Sequence, residues 1–137
     1  MGEKTLVDGL TDDTESLVAH LDDSDRQCSL VTWYFYPDSN EWKLLLAGKW
    51  LNDFLPNQEA VAYQKIAQAI TELELSNLSV SSIKLLGKNN QLIGAISMLV
   101  GTGFGPLGHM HFSGTSLNGI YIDEMLIMRS APNATAA

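Results

Sequence analysis

Apolar residues near the N-terminus recur at helical spacing. Leu17, Val18 and Leu21 form one stripe at intervals of one and three residues, which is the pattern of a helix that lies on a core. Asp12 precedes this stripe, and its carboxylate can accept hydrogen bonds from the first free backbone amides of a helix. We therefore predict a first helix over residues 13–21 with Asp12 as its N-cap.

The chain then changes to a strand-like composition. Residues 28–36 and 41–47 are rich in β-branched and aromatic side chains and are separated by a Pro-Asp-Ser-Asn turn. This pattern predicts a hairpin in which Tyr36 pairs with Glu41. The predicted core side of the hairpin carries the pairs Phe35–Trp42, Trp33–Leu44 and Val31–Leu46. The reverse side carries Thr32, Tyr34, Tyr36, Glu41 and Lys43, and is polar enough to meet water or a partner.

Two further segments follow the same two periods. Helical spacing over residues 57–75 predicts a long second helix, and the apolar run over residues 80–86 predicts a third strand. Residues 109–113 and 120–129 alternate as two final strands, the first pairing Phe112 with Ile120.

The run between these strands has two interpretations. Residues 91–100 fit a helix capped by Asn89 or Asn90 and stopped at Gly101, although Gly94 inside it costs about 1 kcal/mol. A strand is the alternative, and we favour the helix.

The predicted order of elements is α-β-β-α-β-α-β-β. Because hairpins predominate in this order, it is typical of the α+β class: a mostly antiparallel sheet of about five strands with two or three helices packed on one side. The 137 residues suffice for one domain. We predict a single domain over residues 1–130, in which residues 1–11 and 131–137 are frayed tails.

The composition changes this picture mainly through charge. Sixteen acidic against eight basic residues give a net charge of −8, so the chain repels phosphate, and we expect no direct binding to nucleic acid. Residues 1–26 hold eight of the acids. This segment could dock a basic partner or imitate DNA, with a solvated helix as the simpler interpretation.

A single cysteine and the absence of a leader pattern bear on location. Cys28 has no intrachain partner for a disulfide, which favours a reducing, cytoplasmic setting. The first residues lack the apolar core of a signal peptide, and the longest apolar run is shorter than the roughly 20 residues of a membrane span. We expect no membrane association and a thiol that packs in the core.

Six glycines cluster in a stretch without charge. No Asp, Glu, Lys or Arg occurs in the 34 positions between Lys88 and Asp123. Four of its glycines, Gly101, Gly103, Gly105 and Gly108, are a candidate ligand loop. Residues 103–108 match G-x-G-x-x-G, but the pattern lacks the strand before it and the helix after it that a dinucleotide loop requires.

Two histidines provide the candidate metal site. His109 and His111 leave the same face of a strand, and the predicted register sets His109 opposite Asp123. Two imidazoles and a carboxylate could bind a divalent ion or act as acid and base, although alternation in a half-exposed sheet produces such faces without chemistry. Aromatic residues offer a different site: Tyr34, Tyr36 and Trp50 are candidate partner-binding residues.

These observations favour a small, acidic, cytoplasmic protein-interaction or regulatory module without catalytic residues or a cofactor. Its partner is another protein, for which a basic surface would suit the charge, or a second copy in a homodimer. The alternative is a small metal-binding or hydrolytic domain that uses the His-x-His strand and the glycine-rich loop.

Overall fold

A computed structural model describes residues 8–55, 57–87, 90–99, 107–117 and 119–131. The helices are α1 (Asp8–Asp23), α2 (Lys49–Asn52), α3 (Glu59–Glu72) and α4 (Gln91–Leu99), with a 3-10 turn at Val80–Ser82. The strands are β1 (Leu30–Tyr36), β2 (Glu41–Ala47), β3 (Ile83–Leu85), β4 (Met110–Leu117) and β5 (Ile120–Ser130). None of the helices within these ranges has the length and apolar character needed to cross a membrane.

The strands form a single sheet in the order β3-β2-β1-β5-β4, which confirms the α+β class and the count of five strands. Three of the four neighbouring pairs are antiparallel. The fourth pair, β2 with β3, is parallel, because the crossover through α3 returns the chain in the same direction. The sheet is thus mostly, but not wholly, built from hairpins.

Helices cover both sides of the sheet, so the expectation that they pack on one side is wrong. Leu17 of α1 and Ile66 of α3 share a buried cluster with Trp33 of the sheet. Ile96 of α4 joins a separate cluster with Leu45. We call these sides the α1–α3 face and the α4 face. The central strands are therefore largely buried on both faces of the sheet. Thr32 is fully buried, on the face that was predicted to be polar.

The register of the first hairpin is confirmed. Tyr36 pairs with Glu41, and the remaining pairs follow in step down to Leu30 with Ala47. Four residues close the turn, and Asn40 adopts a left-handed φ of 58° that its short polar side chain tolerates.

The first helix begins earlier than predicted, at Asp8, and residues 8–11 are helical instead of frayed. Asp12 and Asp13 consequently lie inside the helix, and Asp12 is not its N-cap. The buried stripe extends N-terminally through two threonines, Thr11 and Thr14. Their polarity hid the continuation of the apolar pattern, and Thr14 can be buried because its hydroxyl donates to the carbonyl of Leu10 and accepts from the indole of Trp33.

The later elements match the predictions in kind more closely than in length. The long helix predicted over residues 57–75 shortens to α3, after which Glu74 takes a φ of 54°, and the short helix α2 before it was not predicted. The third strand shortens to β3, because its first part forms the 3-10 turn. The helical interpretation of residues 91–100 is confirmed by α4, and the Asn90 side chain accepts a hydrogen bond from the Leu92 amide at 2.9 Å.

The register of the last hairpin differs from the prediction by five residues. Phe112 pairs with Met125, and Leu117 pairs with Ile120. Two residues therefore connect the strands, and Gly119 has a φ of 85°. Asn-Gly is the strongest sequence signal for such a connection, and assigning residues 114–119 to a long loop missed it.

Candidate interaction surfaces

The two histidines of the proposed metal site each contact a different carboxylate. His109 Nε2 lies 3.3 Å from Glu15 of α1, and His111 Nε2 lies 2.7 Å from Glu124 of β5. The prediction that His109 faces Asp123 depended on the incorrect register. Among the residues that the structure describes, no three His, Cys, Asp or Glu side chains group so as to hold a metal ion.

Ser113 takes part in the polar contacts around His111, but the arrangement of the side chains does not activate the serine hydroxyl. The hydroxyl of Ser113 donates to the carboxylate of Glu124, at 3.2 Å from each oxygen. The carboxylate thus stands between serine and histidine, whereas a nucleophilic triad needs the imidazole in the middle as a base. These contacts hold β4 against β5. The Asn-Gly turn signal would have placed Glu124 opposite Ser113 from the sequence alone.

The single thiol is also unsuited to catalysis. The side chain of Cys28 is fully buried, and its burial raises the pKa of the thiol to about 12. A thiolate is the reactive form of cysteine, so the group is inert at neutral pH. This confirms the expectation that Cys28 packs in the core.

Several acids of the N-terminal segment have structural tasks. Asp13 accepts hydrogen bonds from the amides of Asn77 and Leu78, at 2.8 and 3.0 Å. Asp22 receives two hydrogen bonds from Arg129, at 3.1 and 3.0 Å. Removing these two carboxylates would therefore disturb the fold, so a loss of binding in such variants would not show that the segment imitates DNA.

Tyr34 and Tyr36 line a groove beside α4. The cavity measures about 330 Å³. Its lining combines the two tyrosines with apolar and polar side chains in or next to β3, α4 and β5: Lys84, Leu86, Asn90, Gln91, Leu92 and Ile120. We call this the tyrosine groove. Tyr34 is less exposed than expected, at 9%, while Tyr36 is half-buried.

The charge in the tyrosine groove is opposite to that of the whole chain. Lys84 is exposed, and its Nζ lies 5.3 Å from the centre of the Tyr36 ring, within the range of a cation–π contact. The first turn of α4 adds the partial positive charge of a helix N-terminus. Burial raises the pKa of Tyr34 and of Tyr36, so both hydroxyls remain neutral at physiological pH. The surface can therefore accept an apolar group next to a negative one.

Trp50, the third predicted partner-binding residue, lies in a different cleft. This cleft also measures about 330 Å³, and Asp25, Gln27, Lys49 and Asp53 line it with Trp50. The Trp50 ring packs edge-on against Phe54, with centroids 6.2 Å apart. The three aromatic candidates thus do not form one surface.

Most of the predicted ligand loop lies outside the described residues. Gly101, Gly103 and Gly105 belong to that part of the chain. Gly108 is described: it lies two residues before β4, and its amide donates to the carbonyl of Met128 in β5 at 3.0 Å.

Sequence reasoning missed the residues that give the tyrosine groove its chemistry. Lys84 and Leu86 reach it only because β3 pairs parallel to β2, and Asn90 and Leu92 only because α4 covers the face that was expected to be open. No local pattern encodes either contact. Comparison with known proteins adds no further guide, since no family model, curated protein or solved structure matches this chain.

Proposed function

We propose that this protein is a non-catalytic interaction module that recognises a protein segment through the tyrosine groove. The observation that carries the proposal is the lining of the groove, where two tyrosine rings and an apolar floor adjoin one exposed cation, Lys84. Tyrosine supplies a large contact area at small cost in conformational entropy, which is why it is enriched at interfaces.

The fitting partner presents an apolar side chain next to a carboxylate. The apolar side chain would lie against Leu86, Leu92 and Ile120. The carboxylate would lie near Lys84 and the first turn of α4, where both charges favour an anion. This partner differs from the basic one that the overall charge favours; a basic group would suit the Trp50 cleft, between Asp25 and Asp53.

A regulatory or adaptor role in the cytoplasm accords with this proposal. Binding would be the whole activity, since the contacts of Ser113, His111 and Cys28 are not those of a catalytic site. The single cysteine, buried as a thiol, is the support for a reducing compartment.

The proposal is tested with peptides selected from a random-sequence display library against the purified chain. We expect enriched peptides to pair an aliphatic or aromatic residue with an acid or a free C-terminus. Lys84→Glu should weaken their binding by at least about tenfold, because a reversed charge at the contact repels the carboxylate.

Lys49→Glu is the matched control, since Lys49 is also exposed but lines the Trp50 cleft. It should leave peptide binding unchanged. Peptides that are insensitive to Lys84→Glu, or that respond to Lys49→Glu instead, would show that the tyrosine groove is not the recognition surface.

A further inference from the structure

We propose that two copies of this chain associate by antiparallel pairing of β4 with β4, which joins two five-stranded sheets into one. Strand β4 lies at the end of the sheet, with β5 as its neighbour among the described strands. Its outer edge presents backbone groups that a further strand can satisfy. This inference uses the edge of the sheet and is independent of the tyrosine groove.

Strand β4 lacks two features that commonly protect an edge, namely charged side chains and proline. Its eight residues, Met110–Leu117, include no Lys, Arg, Asp, Glu or Pro. The opposite edge is protected by its shortness, because β3 has three residues. Long, uncharged edge strands are the usual site at which sheets add a strand from another chain.

The order of faces along β4 suits pairing with itself. Met110 and Phe112 lie opposite Ile127 and Met125 of the α4 face. Thr115 and Leu117 lie opposite Ile122 and Ile120, which contact the same cluster. The first, third, sixth and eighth positions of β4 therefore lie on one face, and this order reads the same in both directions.

In this order the fourth and fifth positions, Ser113 and Gly114, share the other face, so the regular alternation of side chains is interrupted. The interruption occurs at Gly114, next to the centre of the strand, where φ is 54°. In an antiparallel pair with that centre, Met110 faces Leu117 of the partner subunit, and Phe112 faces Thr115 of the partner subunit. Apolar side chains then meet on the α4 face of both copies. Ser113 lies beside the two-fold axis.

Exposed apolar side chains occur on β4 and on the elements next to it. Four large hydrophobic residues are more than a third exposed in the described chain, and Met98 at 80%, Met110 at 45% and Tyr121 at 62% belong to α4 and the last hairpin. Pairing would bury part of this apolar surface. This burial would stabilise the dimer in addition to the backbone hydrogen bonds between the strands.

Charge also selects this edge as the contact between copies. Two chains of net charge −8 repel each other over most of their surfaces. The 34 positions between Lys88 and Asp123 include all of β4 and carry no acid or base other than histidine. Copies can approach here through a strand without acidic side chains, and the Glu124 carboxylate beside this strand lies 2.7 Å from His111 Nε2.

Sedimentation equilibrium over a concentration series, from low micromolar to millimolar, tests whether a dimer forms. Met110→Lys should weaken the association at least about tenfold, since it places an ammonium group against Leu117 of the partner subunit. Val61→Lys is the matched control, because Val61 is 40% exposed on α3 and should have no effect. A monomer across the series, or equal effects of both variants, would overturn the proposal.

A cysteine cross-link tests the register. Under mild oxidation Ser113→Cys should form an intermolecular disulfide, because in this register the Cα atoms of the two copies of residue 113 lie about 6 Å apart. Ser116→Cys should remain reduced, since its two copies lie far from the axis; the native thiol is buried and does not interfere. A disulfide in the Ser116 variant and none in the Ser113 variant would refute the register.

Discussion

The two faces of the sheet are held by different kinds of contact. On the α1–α3 face, buried polar contacts fix the helix: Trp33 donates its indole N–H to Thr14 at 3.0 Å, and Arg129 binds Asp22 through two hydrogen bonds. On the α4 face, apolar side chains pack around Ile96, and the tyrosine groove remains open. Directional contacts specify one arrangement, whereas apolar contacts tolerate small shifts.

This difference indicates a division of tasks. We expect the α1–α3 face to be the more rigid one and the α4 face to be the more adjustable one, because α4 has only nine residues and packs through apolar contacts. The histidine contacts agree with this division, since His109 ties the start of the last hairpin to α1 through Glu15. The next experiments ask whether each face responds as its contacts require.

The largest effect is expected from Asp22→Ala. The substitution leaves the guanidinium of Arg129, whose side chain is 3% exposed, without its carboxylate, and we expect a loss of about 3 kcal/mol in the free energy of unfolding. Urea denaturation followed by circular dichroism measures this loss. Asp23→Ala, one residue along α1 and exposed, should change stability by less than about 0.5 kcal/mol. Equal effects of the two variants would mean that the ion pair does not anchor the α1–α3 face.

A smaller, more local effect is expected from Ile96→Ala. Ile96 is fully buried under α4, and truncation removes apolar contacts at a site where a short helix can move to fill part of the space. We expect a loss of about 2 kcal/mol, with faster hydrogen exchange at α4 amides while α1 amides remain protected. Met98→Ala, on the same helix but 80% exposed, is the control and should have no effect. Equal loss of protection in α1 would show that the two faces form one cooperative unit.

The two hairpins show how far sequence alone predicts this fold. The turn at residues 37–40 and the alternation on both sides determine one register for β1 and β2, and the structure has that register. For the last hairpin, the mixed pattern of β4 contains serines, threonines and Gly114, so apolar alternation gives no unique alignment and the short Asn-Gly signal decides it. An incorrect turn length there displaced the whole candidate metal site.

The surface assignments failed for a different reason. The polar reverse side of the first hairpin was predicted correctly as one face, yet Thr32 on it is buried and Tyr34 packs in the same cluster as Ile96 of α4. Which side a helix covers depends on connections between distant elements, and these leave no periodic signal in the helix itself. The aromatic candidates Tyr34 and Tyr36 were identified by type, but their shared groove required the tertiary structure.

The smallest effect is expected from a substitution that stabilises α4 without changing the lining of the tyrosine groove. Gly94 lies inside α4 without a left-handed φ, and a methyl group added there meets open space. Gly94→Ala should therefore stabilise the protein by up to about 1 kcal/mol, because alanine loses less conformational entropy in a helix. Gly119→Ala is the opposing control: its φ of 85° strains alanine, so this variant should lose stability. If Gly94→Ala raised the melting temperature but weakened peptide binding, the adjustability of α4 would itself contribute to recognition. If Gly94→Ala destabilised the protein, the low helix propensity of Gly94 would not be what limits the stability of α4.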